Sequence, residues 1–148
     1  MQFQQERRNC GAMKNSLKEK KLFLLDMDGT IYLDNDLFDG VLEFLEYIKS
    51  IGGRYMFLTN NSSKGVDKYI DKLKGMGIES TKEDFLTSVN ATVVDLKDKG
   101  YKKIYASGTQ SFISQLMAAN LPVTTEIEDD IDCFLMGFDT ELTFEKLE

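Results

Sequence analysis

Short apolar runs alternate with stretches of helical period along most of this chain, and that alternation constrains the fold more than any other feature. Leu22-Phe23-Leu24-Leu25 is a continuous apolar run closed by Asp26. Such a run suits a strand buried on both faces, as in a parallel sheet. Residues 41–51 carry apolar side chains at 41, 42, 44, 45, 48 and 51, the spacing of an amphipathic helix. Asp39 is placed to cap that helix and Gly52-Gly53 to stop it. A second strand is expected over residues 54–58 and a helix over 64–76, with Val66, Tyr69, Ile70, Leu73 and Met76 on one face and Gly77 after it. The same logic predicts a helix at 89–99, a strand at 102–106, a helix at 109–119, a strand at 131–136 and a helix beginning at Thr143. Strands alternating with helices of this length read as βαβ units, an α/β fold with a parallel sheet. The polar stretch at residues 79–84 interrupts the pattern and sets the expected boundary: 21–82 as one unit, 83–148 as a second, and 1–20 as a flexible polar leader.

Composition removes several function classes. The chain has 148 residues and no histidine, so no histidine base or histidine metal ligand is available. Its two cysteines, Cys10 and Cys133, suffice neither for a zinc site nor for a disulfide framework. Its net charge is −7, which argues against nucleic acid as the partner. The charge is unevenly spread: residues 1–21 carry a net +4, which leaves −11 for the rest. That basic leader reads as a polar terminus without an apolar stripe. No run of about 18 apolar residues suggests a membrane span, and a cytoplasmic location is expected.

In open parallel sheets, ligands bind beyond the carboxyl ends of the strands. Two strand ends here are loaded with polar groups. The first is Asp26-Met27-Asp28-Gly29-Thr30, where two carboxylates two residues apart precede a glycine that permits a sharp turn. An ionised carboxylate on a buried strand needs a partner or a cation. This oxygen pair suits a hard cation such as Mg²⁺, which commonly uses one or two carboxylates, substrate phosphate and water. The second is Thr59-Asn60-Asn61-Ser62-Ser63, whose hydroxyls, amides and N–H groups precede a helix, a setting that attracts anions. Four letters of Asp-x-Asp-Gly are common as a plain turn; their position at a strand end, 33 residues before the second polar end, makes them specific.

In these two motifs the chain resembles the haloacid dehalogenase (HAD) superfamily. Residues 24–32, Leu-Leu-Asp-Met-Asp-Gly-Thr-Ile-Tyr, look like its first motif, and Phe57-Leu58-Thr59-Asn60-Asn61-Ser62-Ser63 look like its second. The combination resembles subfamily IIA, the p-nitrophenylphosphatase and NagD-like phosphatases. Leu86-Thr87-Ser88, Met136-Gly137-Phe138-Asp139 and Leu142-Thr143-Phe144-Glu145-Lys146-Leu147 fit the α/β cap of that group. The resemblance implies a partial doubly wound, Rossmann-like core with part of an inserted C2-type cap. It implies Mg²⁺-dependent hydrolysis of a small phosphorylated metabolite through an aspartyl-phosphate. Asp26 would be the nucleophile and Asp28 the general acid and then base. Asp26 and the Asp28 backbone carbonyl would hold Mg²⁺. Thr59, Asn60 and Gly29 would form the phosphate-binding set, Gly29 and Thr30 by shaping the turn.

The family's third-motif lysine and fourth-motif acidic pair have no counterpart here. Lys64 lies too near the second motif, and Asp129-Asp130 precedes a strand rather than ending one. The chain therefore reads as an N-terminal piece, with little activity alone. A non-catalytic fragment that binds Mg²⁺ or phosphate weakly, a homo-oligomer, a complementary chain and a receiver-like phosphoacceptor are the rival readings. Elsewhere, Met56, Met76, Met136 and Cys133 read as core, Tyr32 and Phe38 as loop aromatics near the site, Thr109 as a helix N-cap, and residues 126–130 as a solvated acidic loop.

Overall fold

A computed structural model of the chain describes residues 19–146. The leader up to residue 18, Cys10 included, and Leu147 and Glu148 lie outside the described residues. Two lobes follow one another, each a three-stranded parallel sheet.

In the first lobe, β1 (Leu22–Asp26), β4 (Arg54–Thr59) and β5 (Phe85–Thr87) form a sheet in the order β1-β4-β5. Between β1 and β4 the chain makes a small antiparallel hairpin, β2 (Tyr32–Leu33) with β3 (Asp36–Leu37), and then helix α1 (Val41–Ser50). Helix α2 (Val66–Gly75) follows β4. Both helices cover one face of the sheet: Leu45, Ile48, Tyr69 and Leu73 pack with Tyr55, Phe57 and Phe85, and Phe23 and Leu25 join from β1. The opposite face is open. There Leu22, Leu24 and Leu86 remain 54%, 55% and 43% exposed. The run 22–25 is thus covered on one side only, contrary to the doubly buried strand expected from its composition. The physical reason is that helices wind on one side of this sheet, as in half of a doubly wound fold. Among the described strands, β1 has β4 as its sole neighbour.

Helix α1 starts one residue later than its expected cap. Gly40, in the left-handed region with φ 84°, occupies the N-cap position, and Asp39 makes no capping bond there. Helix α2 ends as its pattern indicates, with Gly77 at φ 84° beyond it.

The second lobe holds α3 (Ser88–Lys99), β6 (Ile104–Ser107), α4 (Gln110–Ala118), β7 (Val123–Thr124) and β8 (Cys133–Met136). A reciprocal box between Thr87 and Asn90 starts α3, and Gly100, with φ 68°, ends it. The sheet order is β7-β6-β8. Asp132 stitches its lower end, accepting N–H bonds from Lys102 and Lys103 at 2.9 and 3.1 Å, which pull its carboxyl below the ordinary value. Ile104, Ala106 and Leu135 turn toward Phe112, Ile113 and Leu116. Tyr105 and Phe134 stack on the other face, ring centroids 5.2 Å apart. Met136, read as core from sequence, is on that open face and 68% exposed. Cys133 is partly buried against the core, and burial raises its thiol pKa. The acidic stretch 126–130 is exposed, with Glu128 paired to Lys103 at 3.1 Å.

Residues 143–146 form a bend and turn rather than the expected helix start. Lys146 holds this segment, bonding Asp139 at 2.8 Å and the carbonyls of Gly108 and Glu141.

Candidate active site

The first strand end is built around the carbonyl of Met27, a fully buried residue. The N–H groups of Thr30, Ile31 and Tyr32 all point to it, at 3.2, 2.9 and 3.4 Å, and Gly29 N–H donates to the Tyr32 carbonyl at 2.8 Å. Gly29 sits at φ 81° with nothing near a hypothetical Cβ, so it is the backbone angle and not the space that calls for glycine. This knot leaves Asp26 and Asp28 exposed on either side of the buried Met27. Parallel register sets Asp26 beside Leu58, one residue before Thr59, with strands about 4.8 Å apart. Alternation along the strands puts Asp26 on the open face, in line with Leu58 and Leu86.

The second strand end is a bonded loop. Thr59 is buried, and its Oγ1 accepts the Asn61 N–H at 3.2 Å. Asn61 Oδ1 accepts from both the Ser63 N–H and the Ser63 hydroxyl. Tyr69, whose phenol is pushed above its ordinary pKa by burial, donates to the Asn61 carbonyl. Asn60 is exposed, with its carbonyl accepting from the Ser88 hydroxyl at 3.1 Å. The two motifs predicted from sequence therefore meet at one edge of the sheet, Asp26 and Asp28 from β1 and Thr59 and Asn60 from β4.

The sequence reading missed how the second lobe grips this loop. Thr109 is 1% exposed; its hydroxyl donates to the Ser63 carbonyl at 3.0 Å and accepts the Phe112 N–H as the cap of α4. Phe138 N–H donates to the buried Ser62 hydroxyl at 2.8 Å. These contacts need the chain to pass close to Phe112: a Cβ on Gly108 or Gly137 would lie 2.6 or 2.7 Å from its ring. The two glycines were the available signal. Tyr32, read as a loop aromatic near the site, is fully buried in the first core. Its hydroxyl has no hydrogen-bond partner among the described residues, and burial followed by the Asp28 carboxylate raises its pKa.

Asp26 and Asp28 offer the oxygen donors that a hard cation takes. Among the described residues no group of three or more metal-ligating side chains exists. The one side-chain hydrogen bond to Asp26 is a 3.5 Å contact from Thr30. Two exposed carboxylates with unclaimed oxygens fit Mg²⁺, which draws its remaining ligands from water and phosphate. A groove of roughly 370 Å³ lies elsewhere, on the open face of the second sheet among Tyr105, Phe134, Met136 and Lys146. It contains no paired carboxylate.

The chain is 33% identical over 132 residues to an acid sugar phosphatase of Staphylococcus haemolyticus, covering 88% of this chain and 49% of that protein. Among solved structures it is similar to a 4-nitrophenylphosphatase from Thermotoga maritima, with 39% identity, a TM-score of 0.78, and coverage of 88% of this chain and 49% of that one. A glycerol phosphate phosphatase from Mycobacterium tuberculosis, solved in complex with magnesium, shares the fold at a TM-score of 0.78 and 24% identity, over 88% of this chain and 40% of that one. The chain spans about half the length of the curated relatives it matches. The profile of the haloacid dehalogenase-like hydrolases matches residues 23–122. Because that match runs through both loaded strand ends and into the second lobe, the chain belongs to the haloacid dehalogenase-like hydrolases.

Proposed function

We propose that this chain carries the nucleophile-bearing part of a Mg²⁺-dependent phosphomonoester hydrolase acting on small phosphorylated metabolites. The observation that carries the reading is the meeting of Asp26 and Asp28 with Thr59 and Asn60 at the carboxyl ends of two adjacent parallel strands. Asp26 attacks phosphorus and becomes an aspartyl-phosphate. Asp28 protonates the leaving oxygen, then takes a proton from the water that releases phosphate. Thr59 and Asn60 hold phosphoryl oxygens, and Gly29 keeps the turn tight enough for Asp28 to reach the same atoms. Asp26 and the Asp28 carbonyl would hold Mg²⁺, which neutralises charge between carboxylate and phosphate when bound. Residues 21–82 serve as core and residues 83–148 as cap, with β5 reaching back into the first sheet. A cytoplasmic setting suits a metabolite substrate, and no helix among the described residues is long and apolar enough to cross a membrane.

A second reading has its own observation. Among the described residues β1 pairs with β4 alone and no lysine forms an ion pair with Asp26, which favours a chain that turns over little by itself and gains activity from a complementary polypeptide. One experiment addresses both readings. Residues 1–148 are assayed on p-nitrophenyl phosphate alone, and again fused to the half of the Thermotoga maritima 4-nitrophenylphosphatase that they do not match. The fusion should hydrolyse the ester with Mg²⁺, stop with EDTA, and lose more than about nine-tenths of its rate on Asp26→Asn. Turnover of about 10 s⁻¹ by the unfused chain would refute the need for a complement. A fusion indifferent to Asp26→Asn would refute the nucleophile.

A further inference from the structure

Three lysines line the cleft on the α2 side of Asp28. Lys68 and Lys72, four residues apart on α2, share one helix face, and Lys64 stands just before the N-cap Gly65. With Asp28, Asn61 and Tyr69 they wall an open cleft of roughly 310 Å³. Lys72 is half-buried, its ammonium 3.7 Å above the Tyr32 ring, which anchors it toward the turn after β1.

Several described lysines form no ion pair, and three of them share this cleft. Lys49, Lys82, Lys99, Lys103 and Lys146 each meet a carboxylate within 4 Å. Among the described residues none of Lys64, Lys68 and Lys72 does. In a chain of net charge −7, three unpaired ammonium groups thus gather at one cleft. Like charges four residues apart on a helix repel, so Lys68 and Lys72 stand together at a cost that a bound anion would relieve. Asp28, at the cleft's edge, is a single carboxylate and is oriented by the turn that serves the reaction. A transferring phosphoryl group is already provided for by Thr59 and Asn60. A carboxylate substituent would need only one ammonium, whereas a phosphate dianion matches several point charges.

We propose that this cleft binds a second phosphate of the substrate, making bisphosphorylated metabolites the preferred class. The proposal rests on the reading of Asp26, Thr59 and Asn60 as the phosphoryl site, and it specifies what lies beyond it. In this proposal the lysines in and before α2 select charge.

The test is binding of fructose 1,6-bisphosphate against fructose 6-phosphate to the 148-residue chain, by calorimetry and ³¹P line broadening at fixed Mg²⁺. The bisphosphate should bind about tenfold tighter or more. Lys64→Gln, Lys68→Gln and Lys72→Gln should each weaken the bisphosphate by about two- to fivefold, the range of single exposed ion pairs, and the triple variant should bring the two ligands within about twofold. The single variants keep the test decisive if the triple variant does not fold, and Lys97→Gln on α3 should change neither ligand. Equal affinities in the unaltered chain would overturn the proposal, as would lysine variants that weaken both ligands alike. Asn60→Asp separates this failure from that of the underlying reading. If it weakens the monophosphate while the lysines prove indifferent, the phosphoryl site stands and the second subsite falls. If it affects neither ligand, the phosphoryl reading falls and the proposal with it.

Discussion

The two lobes solve the same architectural problem with different chemistry at their strand ends. Each is a three-stranded parallel sheet covered by two helices on one face and open on the other. In the first lobe the central polar cluster is at the ends of β1 and β4, with two exposed carboxylates and a loop of hydroxyls and amides. In the second, β6 ends in Ser107-Gly108-Thr109, and Thr109 is consumed by capping α4 and gripping Ser63. The open face of the first sheet is aliphatic, with Leu22, Leu24 and Leu86; that of the second is aromatic, with Tyr105 stacked on Phe134. One lobe therefore presents exposed carboxylates and the other an aromatic surface, with Thr109 and Phe138 bracing the first lobe's loop. The fold alone does not decide which does chemistry; the side chains at the strand ends do.

The largest effect should separate the lobes by rate. In the fused enzyme, Asp28→Asn should slow turnover by about 10²–10⁴-fold, the usual worth of one general acid–base group, whereas Ser107→Ala at the equivalent strand end should cost less than about tenfold. The loss on Asp28→Asn should be greater for an alkyl phosphate than for p-nitrophenyl phosphate, whose leaving group needs little protonation. Equal losses on both esters would assign Asp28 to metal binding or structure instead.

A smaller effect should break the brace between the lobes. Thr109→Val removes both a helix cap and the bond to the Ser63 carbonyl, so it should cost about 1–3 kcal/mol in a denaturant melt, with Thr109→Ser recovering most of it. An unchanged melt would show that the Thr109 hydroxyl adds nothing to the brace, leaving it to the Phe138 N–H bond to Ser62.

On the open faces the changes are smaller still and unequal. Phe134→Lys should cost about 0.5–1.5 kcal/mol through its lost stack, while Leu24→Lys should shift the melt by no more than about 0.5 kcal/mol. Concentration-dependent sedimentation that vanishes only with Leu24→Lys would identify the first sheet as the surface that associates. The smallest effect is local and acidic. Lys146 holds the Asp139 carboxyl below its ordinary value. The clamp is therefore complete above the ordinary carboxylate pKa of about 3.9 and is lost as pH falls further, through the folded-state value. Amide exchange in residues 137–146 should quicken over that interval and do so at neutral pH in Lys146→Gln.

The long elements were legible because their periodicity spans several turns or a whole strand. Helices α1 to α4 and strands β1, β4, β6 and β8 fall within a few residues of the positions read from sequence. The hairpin β2–β3 and strand β7 have two residues apiece per strand, too few to carry a period. Strand β5 was hidden after the polar interruption at 79–84, and it joins the first sheet through Phe85, Leu86 and Thr87, an apolar stretch of only two residues and so too short to carry a period. Burial was harder to read than structure. An unbroken run such as 22–25 looks doubly buried whether one or two layers cover it, and Met136 is apolar but faces outward. The site's residues were legible as strand-end motifs. The brace from Thr109 and Phe138 was not, since it links residues 46 and 76 positions apart.

The claim on which all of this depends is that Asp26 takes the phosphoryl group. It is tested by acid-quenching the fused enzyme during turnover of p-nitrophenyl phosphate and mapping the covalent phosphate by mass spectrometry. A phosphorylated peptide containing Asp26 should form with Mg²⁺ and be absent from Asp26→Asn. Turnover that proceeds with Asp26 unmodified at every quench time, or a phosphate mapped to another residue, would contradict it.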